Sequence, residues 1–207
     1  MMKVSKKTIF YILFFVAVVF IFYGAVSWLI PGYSDRKLEP ISKVRSFAFT
    51  NQDGKVITNK DVAGKVYVAE FFFTTCPGIC PMMNDNMKSE IYDRYKNRKD
   101  FVILSHTCDP KNDSPAVLKR YADSMNVNTT HWIFLTGRKD SLYNMARLSY
   151  TIDDPANNLK NAEDDFLHTQ FWALVNRKGE VLGIYDALEN KEIKKLKKDI
   201  DKALKES

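Results

Sequence analysis

The sequence is poor in the residues that usually announce chemistry: among 207 residues there are three cysteines and three histidines. Three cysteines are too few to staple a small disulfide-rich scaffold. Glycine and proline are also scarce, at 8 and 7, and with 27% charged and 13% aromatic residues this excludes a collagen-like, low-complexity or disordered chain. No internal repeat is visible. No cysteine lies in the first 75 residues, which leaves no place for a lipid-bearing Cys near the start, and no proline follows Pro155. The longest absence is of charge: residues 9–30 (IFYILFFVAVVFIFYGAVSWLI) run for 22 positions without one charged side chain.

The mean hydropathy of −0.29 therefore averages a membrane segment with a polar, soluble domain. At about 1.5 Å per residue the segment covers a hydrocarbon core of about 30 Å. Lys3, Lys6 and Lys7 precede it. The positive-inside rule then keeps residues 1–8 in the cytoplasm or matrix and sends residues 31–207 across. The expectation is a single-pass membrane protein with its soluble domain in a bacterial periplasm or a mitochondrial intermembrane space. Trp28 and Tyr33 suit the far interface. A cleaved signal peptide usually has a shorter apolar region ending at a small-residue site, so the segment is read as an uncleaved anchor. Three of the six excess positive charges belong to the membrane flank, and the lysines of the tail are interspersed with Glu and Asp, as on a solvated helix face. No nucleic-acid partner is expected.

Residues 31–46 read as a linker and 47–207 as one domain. Phe47 and Phe49 alternate with polar residues, Asp53-Gly54 supplies a turn, and Val56 and Ile57 resume, which predicts a small β-hairpin. Residues 65–73 (KVYVAEFFF) form the near-continuous apolar run of a strand buried on both faces. A helix is predicted over 82–98 from the spacing of Met83, Met87, Ile91 and Tyr95. Strands at 101–107 and 131–135 alternate with helices at 115–125, with Ser114 at the N-cap and Pro115 in the first turn, and at 139–148. A long acidic loop with Pro155, Asn157 and Asn158 occupies 150–167. A hairpin (171–175 and 181–185) and a helix over 191–205 with Ile193, Leu196, Ile200 and Leu204 on one stripe close the chain. Three βα units, a hairpin and a helix describe an α/β thioredoxin-like sandwich preceded by one N-terminal transmembrane helix.

Cys76 and Cys80 flank Pro77-Gly78-Ile79 in a strand-to-helix loop. There unpaired backbone N–H groups and the helix dipole favour the thiolate, a nucleophile and soft-metal ligand. A redox pair and a metal site are the two live readings. Thioredoxin-type redox sites use C-x-x-C and place a cis-proline just before the last hairpin. This chain has C-x-x-x-C, and near 167–170 it carries His168 instead of a proline. Two thiolates facing an imidazole suit Cu(I), or a Cu(II) site with two sulfurs and one nitrogen.

At this point the sequence resembles the SCO/SenC family of membrane-anchored copper chaperones for cytochrome c oxidase assembly. The residues that carry the likeness are Phe73-Thr74-Thr75-Cys76-Pro77-Gly78-Ile79-Cys80-Pro81 for the C-x-x-x-C-P loop, residues 109–115 (DPKNDSP) for D-P-x-x-D-x-P, Leu135-Thr136-Gly137 for L-T-G, and His168 for the distal ligand. The chain departs from the family at two points. Leu167 stands where an Asp often precedes the distal His, with Asp164 and Asp165 upstream, and Cys108 stands where an apolar residue is usual before the D-P pair. Cys108 reads as a small core side chain at a strand end; the sharper alternative is a second disulfide partner for the cysteine loop.

The resemblance implies a metallochaperone that binds copper through Cys76, Cys80 and His168 and passes it by ligand exchange to a copper-accepting protein, a cytochrome c oxidase subunit. The alternative is a thiol–disulfide oxidoreductase that uses Cys76 and Cys80 to keep such a partner's cysteines reduced. Peroxide reduction fails on spacing, since the peroxiredoxin pattern needs Pro at Ala69 and Ser or Thr at Phe73. His106 and His131 read as structural or surface histidines, Met83 and Met87 as core, and Met82 as a lesser thioether donor. Asp109 and Asp113 are expected to shape the loop into the next helix rather than to act as acid and base.

Overall fold

The computed structural model describes residues 5–29, 38–153 and 169–206. Lys3, Tyr33, Pro155, Asn157, Asn158, Asp164, Asp165, Leu167, His168 and the side chain of Trp28 lie outside the described residues. Two compact units divide the chain, Met1–Lys37 and Leu38–Ser207. In the first, Lys6–Leu29 forms helix α1, and its stretch Lys6–Val26 is long and apolar enough to cross a membrane. Phe15, Phe20 and Ile21 are each more than two-thirds exposed on it, a surface suited to hydrocarbon rather than water.

The second unit is one eight-stranded sheet between helices. Its strands are β1 (Ser42–Lys43), β2 (Ala48–Asn51), β3 (Val56–Thr58), β4 (Val66–Phe72), β5 (Phe101–Thr107), β6 (Trp132–Thr136), β7 (Phe171–Val175) and β8 (Glu180–Asp186), in the order β1-β8-β7-β4-β5-β6-β2-β3. β4, β5 and β6 are parallel, while β7 and β8 run antiparallel to their neighbours. This is the thioredoxin-like arrangement with the hairpin β2–β3 added beside β6. The hairpin turns where Gly54 takes a φ of +76°, a conformation open to glycine without steric cost.

The helices are α2 (Asn59–Val62), α3 (Ile79–Asn86), α4 (Asp93–Tyr95), α5 (Pro115–Ser124), α6 (Lys139–Met145) and α7 (Asn190–Ala203). A π-helical turn at Met87–Tyr92 joins α3 to α4, and another at Ala146–Tyr150 follows α6. The first has a cause in the sequence. Met83, Met87, Ile91 and Tyr95 recur every four residues, whereas an α-helix turns every 3.6, so a pure α-helix would rotate this stripe away from the sheet. A wider turn in the middle restores the alignment, and all four side chains are buried.

Residues 38–46, which the sequence assigns to the linker, belong to the domain. Ser42 and Lys43 pair with Val181 and Glu180, and Val44 is buried. A two-residue strand offers no alternation to detect. The L-T-G segment also finds a structural reason: a Cβ on Gly137 would lie 2.8 Å from the ring of Phe49, so only glycine lets the hairpin close on β6 without moving that ring.

Apolar side chains from α3, α5 and α7 cover one face of the sheet, and those of β2, α6 and the turn after it cover the other. Each face also buries a polar side chain from a central strand. Glu70 of β4 faces the first. Its carboxylate accepts from Ser105 Oγ (2.5 Å) and Trp172 Nε1 (2.9 Å), and Ser105 in turn accepts from Trp132 Nε1 (2.7 Å). His106 of β5 faces the second, stacked on Phe71 at 4.9 Å with its Nε2 3.3 Å from the Tyr150 hydroxyl; its Nδ1 has no partner among the described residues.

Burial pushes Glu70 up to about 7 from 4.5 and holds His106 down to about 3 from 6.5. The two act on stability with opposite signs. The folded protein keeps a proton on Glu70 that the unfolded chain gives up above 4.5, so this contribution is full below 4.5 and lost as the pH rises through about 7. The unfolded chain binds a proton at His106 below 6.5 that the folded protein refuses until about 3, so His106 lowers stability as the pH falls through that window. Glu70→Gln should therefore steepen the loss of stability on acidification, and His106→Phe should leave stability that falls as the pH rises through the Glu70 window. Urea unfolding followed across both windows checks this; parallel pH profiles for the parent and both variants would contradict it.

Candidate metal centre

β4 runs through the middle of the sheet between β5 and β7, all seven of its residues buried, and ends at Phe72. Residues 73–78 then lead to α3. Pro81 sits in the first turn of that helix, where its missing N–H removes no intrahelical bond. Cys76 is half-buried in the loop, and Cys80 is buried in the first turn at 5% exposure.

The environment separates the two thiols. Burial acts to raise Cys76, but it is outweighed by the hydrogen bonds its sulfur receives from the Cys80 thiol and from the backbone N–H groups of Cys80, Gly78 and Ile79. The Cys76 thiol is held below the ordinary range. Cys80 is pushed up to about 12, first by burial, then by its donation to Cys76 and by the negative charge that Cys76 and Glu70 carry when ionised. The helix start thus presents one accessible, readily ionised sulfur and holds a second, protonated one behind it.

The loop is fastened by a residue of the D-P-x-x-D-x-P segment. Asp113, 1% exposed, accepts from the backbone N–H of Thr74 (3.1 Å) and from the hydroxyls of Thr74 (2.5 Å) and Thr107 (2.5 Å). It joins the first residues of the cysteine loop to the end of β5. Asp109 shapes the turn beneath it: its carbonyl accepts from the N–H groups of Asn112 and Asp113, and its own N–H donates to Thr107 Oγ. Pro115 then opens α5. Both aspartates build the loop, as expected.

Cys108 is a core side chain. Its N–H and its thiol both donate to the Phe72 carbonyl, at 2.8 and 3.1 Å, and burial pushes its thiol far up. All three cysteines are free. Among the described residues no third Cys, His, Asp or Glu joins Cys76 and Cys80 in a group able to hold a metal ion, so Cys108 does not complete a three-donor set. His106 is sealed in the core, His131 is half-buried before β6, Met83 and Met87 are fully buried, and Met82 is exposed. His168 lies outside the described residues. The described residues resume at Thr169 and Gln170, just before β7, whose N-terminal end meets the C-terminal end of β4 because the two strands are antiparallel, with Ala173 opposite Ala69.

Glu70 is the polar residue that sequence reasoning passed over. Its signal was a single acid inside the apolar run 66–73, six positions before Cys76. It needed the two tryptophan partners, more than sixty and a hundred residues away, to be recognised as buried and bonded.

Comparison with known proteins gives the same answer from several directions. The SCO1/SenC family model matches residues 36–205. The SCO1 protein homolog of Bacillus subtilis is 34% identical over 152 residues, covering 72% of this chain and 76% of that one. The solved structure of BsSco, a member of the Sco family of cytochrome c oxidase assembly proteins in which a disulfide switch was identified, superposes with a TM-score of 0.69 at 30% identity, covering 83% of this chain and all of that one. Bradyrhizobium japonicum ScoI with copper bound shares the fold, with a TM-score of 0.61 at 22% identity over 78% of this chain and 99% of that one.

Asp113 is the latch most open to test. Asp113→Ala leaves the Thr74 and Thr107 donors without their buried acceptor and should lower unfolding stability by about 3 kcal/mol. Asp113→Asn, which keeps the shape and one acceptor oxygen, should cost about half as much. Denaturant midpoints measure both, and a loss within error of zero for Asp113→Ala would remove the latch from this account.

Proposed function

The chain belongs to the SCO1/SenC family, and from that premise and the geometry of its cysteine loop we propose that it is a membrane-anchored copper chaperone. Cys76, Cys80 and His168 hold the metal, and the recipient is a copper centre of cytochrome c oxidase. The observation that carries this reading is the pair of free thiols at the start of α3, one accessible and one buried, on a loop held by Asp113. Soft sulfur donors favour copper, and an imidazole completes a three-donor set. The antiparallel pairing of β7 with β4 brings Thr169, the next residue in sequence, near the cysteine end of β4, which supports His168 as that donor. Copper is cargo here. A partner's thiolate displaces the accessible Cys76 first, and the ion leaves Cys80 and His168 afterwards, so no step needs covalent turnover.

The separation of the two thiols favours a second reading. Cys76 as attacking thiolate and Cys80 as the protonated thiol behind it form the arrangement of a dithiol reductase: Cys76 attacks one sulfur of a partner's disulfide and releases the other as a thiolate, and Cys80 then gives up its proton and attacks the Cys76 sulfur, releasing the partner's second thiolate and leaving a Cys76–Cys80 disulfide. Such a reductase would maintain the reduced cysteines into which copper is delivered. His168 separates the two roles, since it is needed for the metal and not for thiol exchange.

Anaerobic titration of the reduced full chain with Cu(I) and Cu(II), followed by X-ray absorption, should find two sulfurs and one nitrogen. Cys76→Ala, Cys80→Ala and His168→Ala should each weaken binding by roughly 100-fold or more, and His131→Ala should leave it unchanged. Full affinity in His168→Ala would refute the three-donor site. Loss of oxidase assembly in that variant, with thiol exchange intact, would assign the role to copper delivery rather than reduction.

We place the domain outside the cytoplasm or matrix, because Lys3, Lys6 and Lys7 precede the apolar segment. A reporter enzyme active only after export, fused behind Ser207, should be active in cells. Activity confined to a cytoplasmic reporter at the same position would reverse the orientation.

A further inference from the structure

α7 sorts its charges in a way the sequence conceals. Along the chain lysines and acids are interspersed, but on the helix the exposed lysines gather on the side opposite the core. Ile193, Leu196, Ile200 and Ala203 pack on the sheet. The acids lie on the flanks and turn to partners at the edge of the core: Asp199 accepts from the Tyr185 hydroxyl (2.7 Å), and Asp201 accepts from the Tyr95 hydroxyl (2.8 Å) and pairs with Arg94 (2.8 Å). Lys197 pairs with Glu90. Opposite the core, Lys191, Lys194 and Lys198 follow one another at steps of three and four residues, and Lys205, in the turn just after α7, lies seven residues further on, with Asp201, held by Arg94 and Tyr95, beside them. All four lysines are exposed, and none forms an ion pair among the described residues. The result is a predominantly basic ridge running roughly 20 Å along the domain.

We infer that this ridge rests on the anionic phospholipid headgroups of the bilayer that α1 enters. Eight residues separate Leu29 from Leu38, and a chain of that length spans at most roughly 30 Å, so the domain never leaves the neighbourhood of the membrane surface. Tethering converts a weak attraction into a populated contact without further affinity. Leu38, where the domain begins, packs into the same side of the sheet that α7 covers, so the tether arrives on the face that carries the ridge. A row of lysines next to a membrane segment is attracted to anionic lipid and released by salt.

The ridge starts at the same end of the sheet as the cysteine loop. β8 runs parallel to β4, because both are antiparallel to β7, so α7 starts at the sheet edge where the cysteine loop lies. The inference rests on α1 as an anchor and is independent of copper.

The test uses the full chain, free of copper, in nanodiscs of phosphatidylcholine alone and of phosphatidylcholine with about one-third phosphatidylglycerol. Amine acetylation is followed lysine by lysine by mass spectrometry. Lys191, Lys194, Lys198 and Lys205 should react about tenfold more slowly on the anionic discs and recover in about 0.5 M sodium chloride. Lys55 and Lys60, exposed at the far edge of the sheet, should react alike on both. In the triple variant Lys191→Gln, Lys194→Gln and Lys198→Gln, Lys205 should lose its protection. Equal rates on the two discs overturn the inference, as does protection that appears only when an acidic protein is added. Resistance of the chain to alkaline extraction is measured in parallel. Retention without lysine protection refutes the ridge alone, whereas extraction of the chain refutes the anchor and the ridge with it.

Discussion

The carboxylate of Asp113 carries the β4–β5 connection past the last paired residues, joining the start of the cysteine loop to the end of β5. Its position at 1% exposure makes the connection strong, because a buried charge without donors would be costly and three donors meet it here. The consequences reach the sulfurs. The Cys76 N–H donates to the Phe73 carbonyl at 3.3 Å, and the Thr74 N–H is held by Asp113, so the loop leaves β4 on a fixed path and delivers Cys76 to the N–H groups of α3. The separation of the two thiols follows from that delivery rather than from the cysteines' own chemistry.

Much of this was legible in the sequence because it is written in local patterns. The apolar run of β4, the βα alternation, the Pro-Gly loop between the cysteines and Pro115 at a helix start each need only a few adjacent residues to be recognised. The features that escaped detection depend on distant partners or on too little chain. β1 is two residues long and exists because β8 offers it an edge. The π turn after α3 is a correction to a stripe repeating every four residues, visible as a spacing but not as a change of helix type. Asp113 could be assigned to the loop from its motif, yet its bonds to Thr74 cross 39 residues. His168 was assigned by motif and lies outside the described residues.

The buried polar residues show how the sheet can hold ionisable groups without breaking. Glu70 survives because two indoles and a serine organise around it, one of the tryptophans acting through Ser105. His106 has fewer polar contacts and is accommodated instead by aromatic neighbours, Phe71 stacked beneath it and Phe49 at its edge at 5.4 Å. A carboxyl needs donors to be buried, and a neutral imidazole needs mainly a flat cavity. The two solutions lie on opposite faces of adjacent strands, one residue apart in register, so each face of the sheet carries its own polar insert.

Glu70 also couples the sheet to the site above it. Its charge lies close enough to help raise Cys80, so the carboxyl and the thiol cannot both ionise without repulsion. Because burial already pushes Glu70 up to about 7, the carboxyl can take up a proton when negative charge develops on the sulfurs, which lessens that repulsion without any movement of the chain. In the proposed copper site, two thiolates around a singly charged ion would carry a net negative charge, which is tolerated more easily over a neutral carboxyl than over an ionised one. The polar network in the sheet and the latch on the loop therefore serve the same pair of sulfurs by different means. The latch fixes where Cys76 stands, and the network limits how much negative charge Cys80 must share.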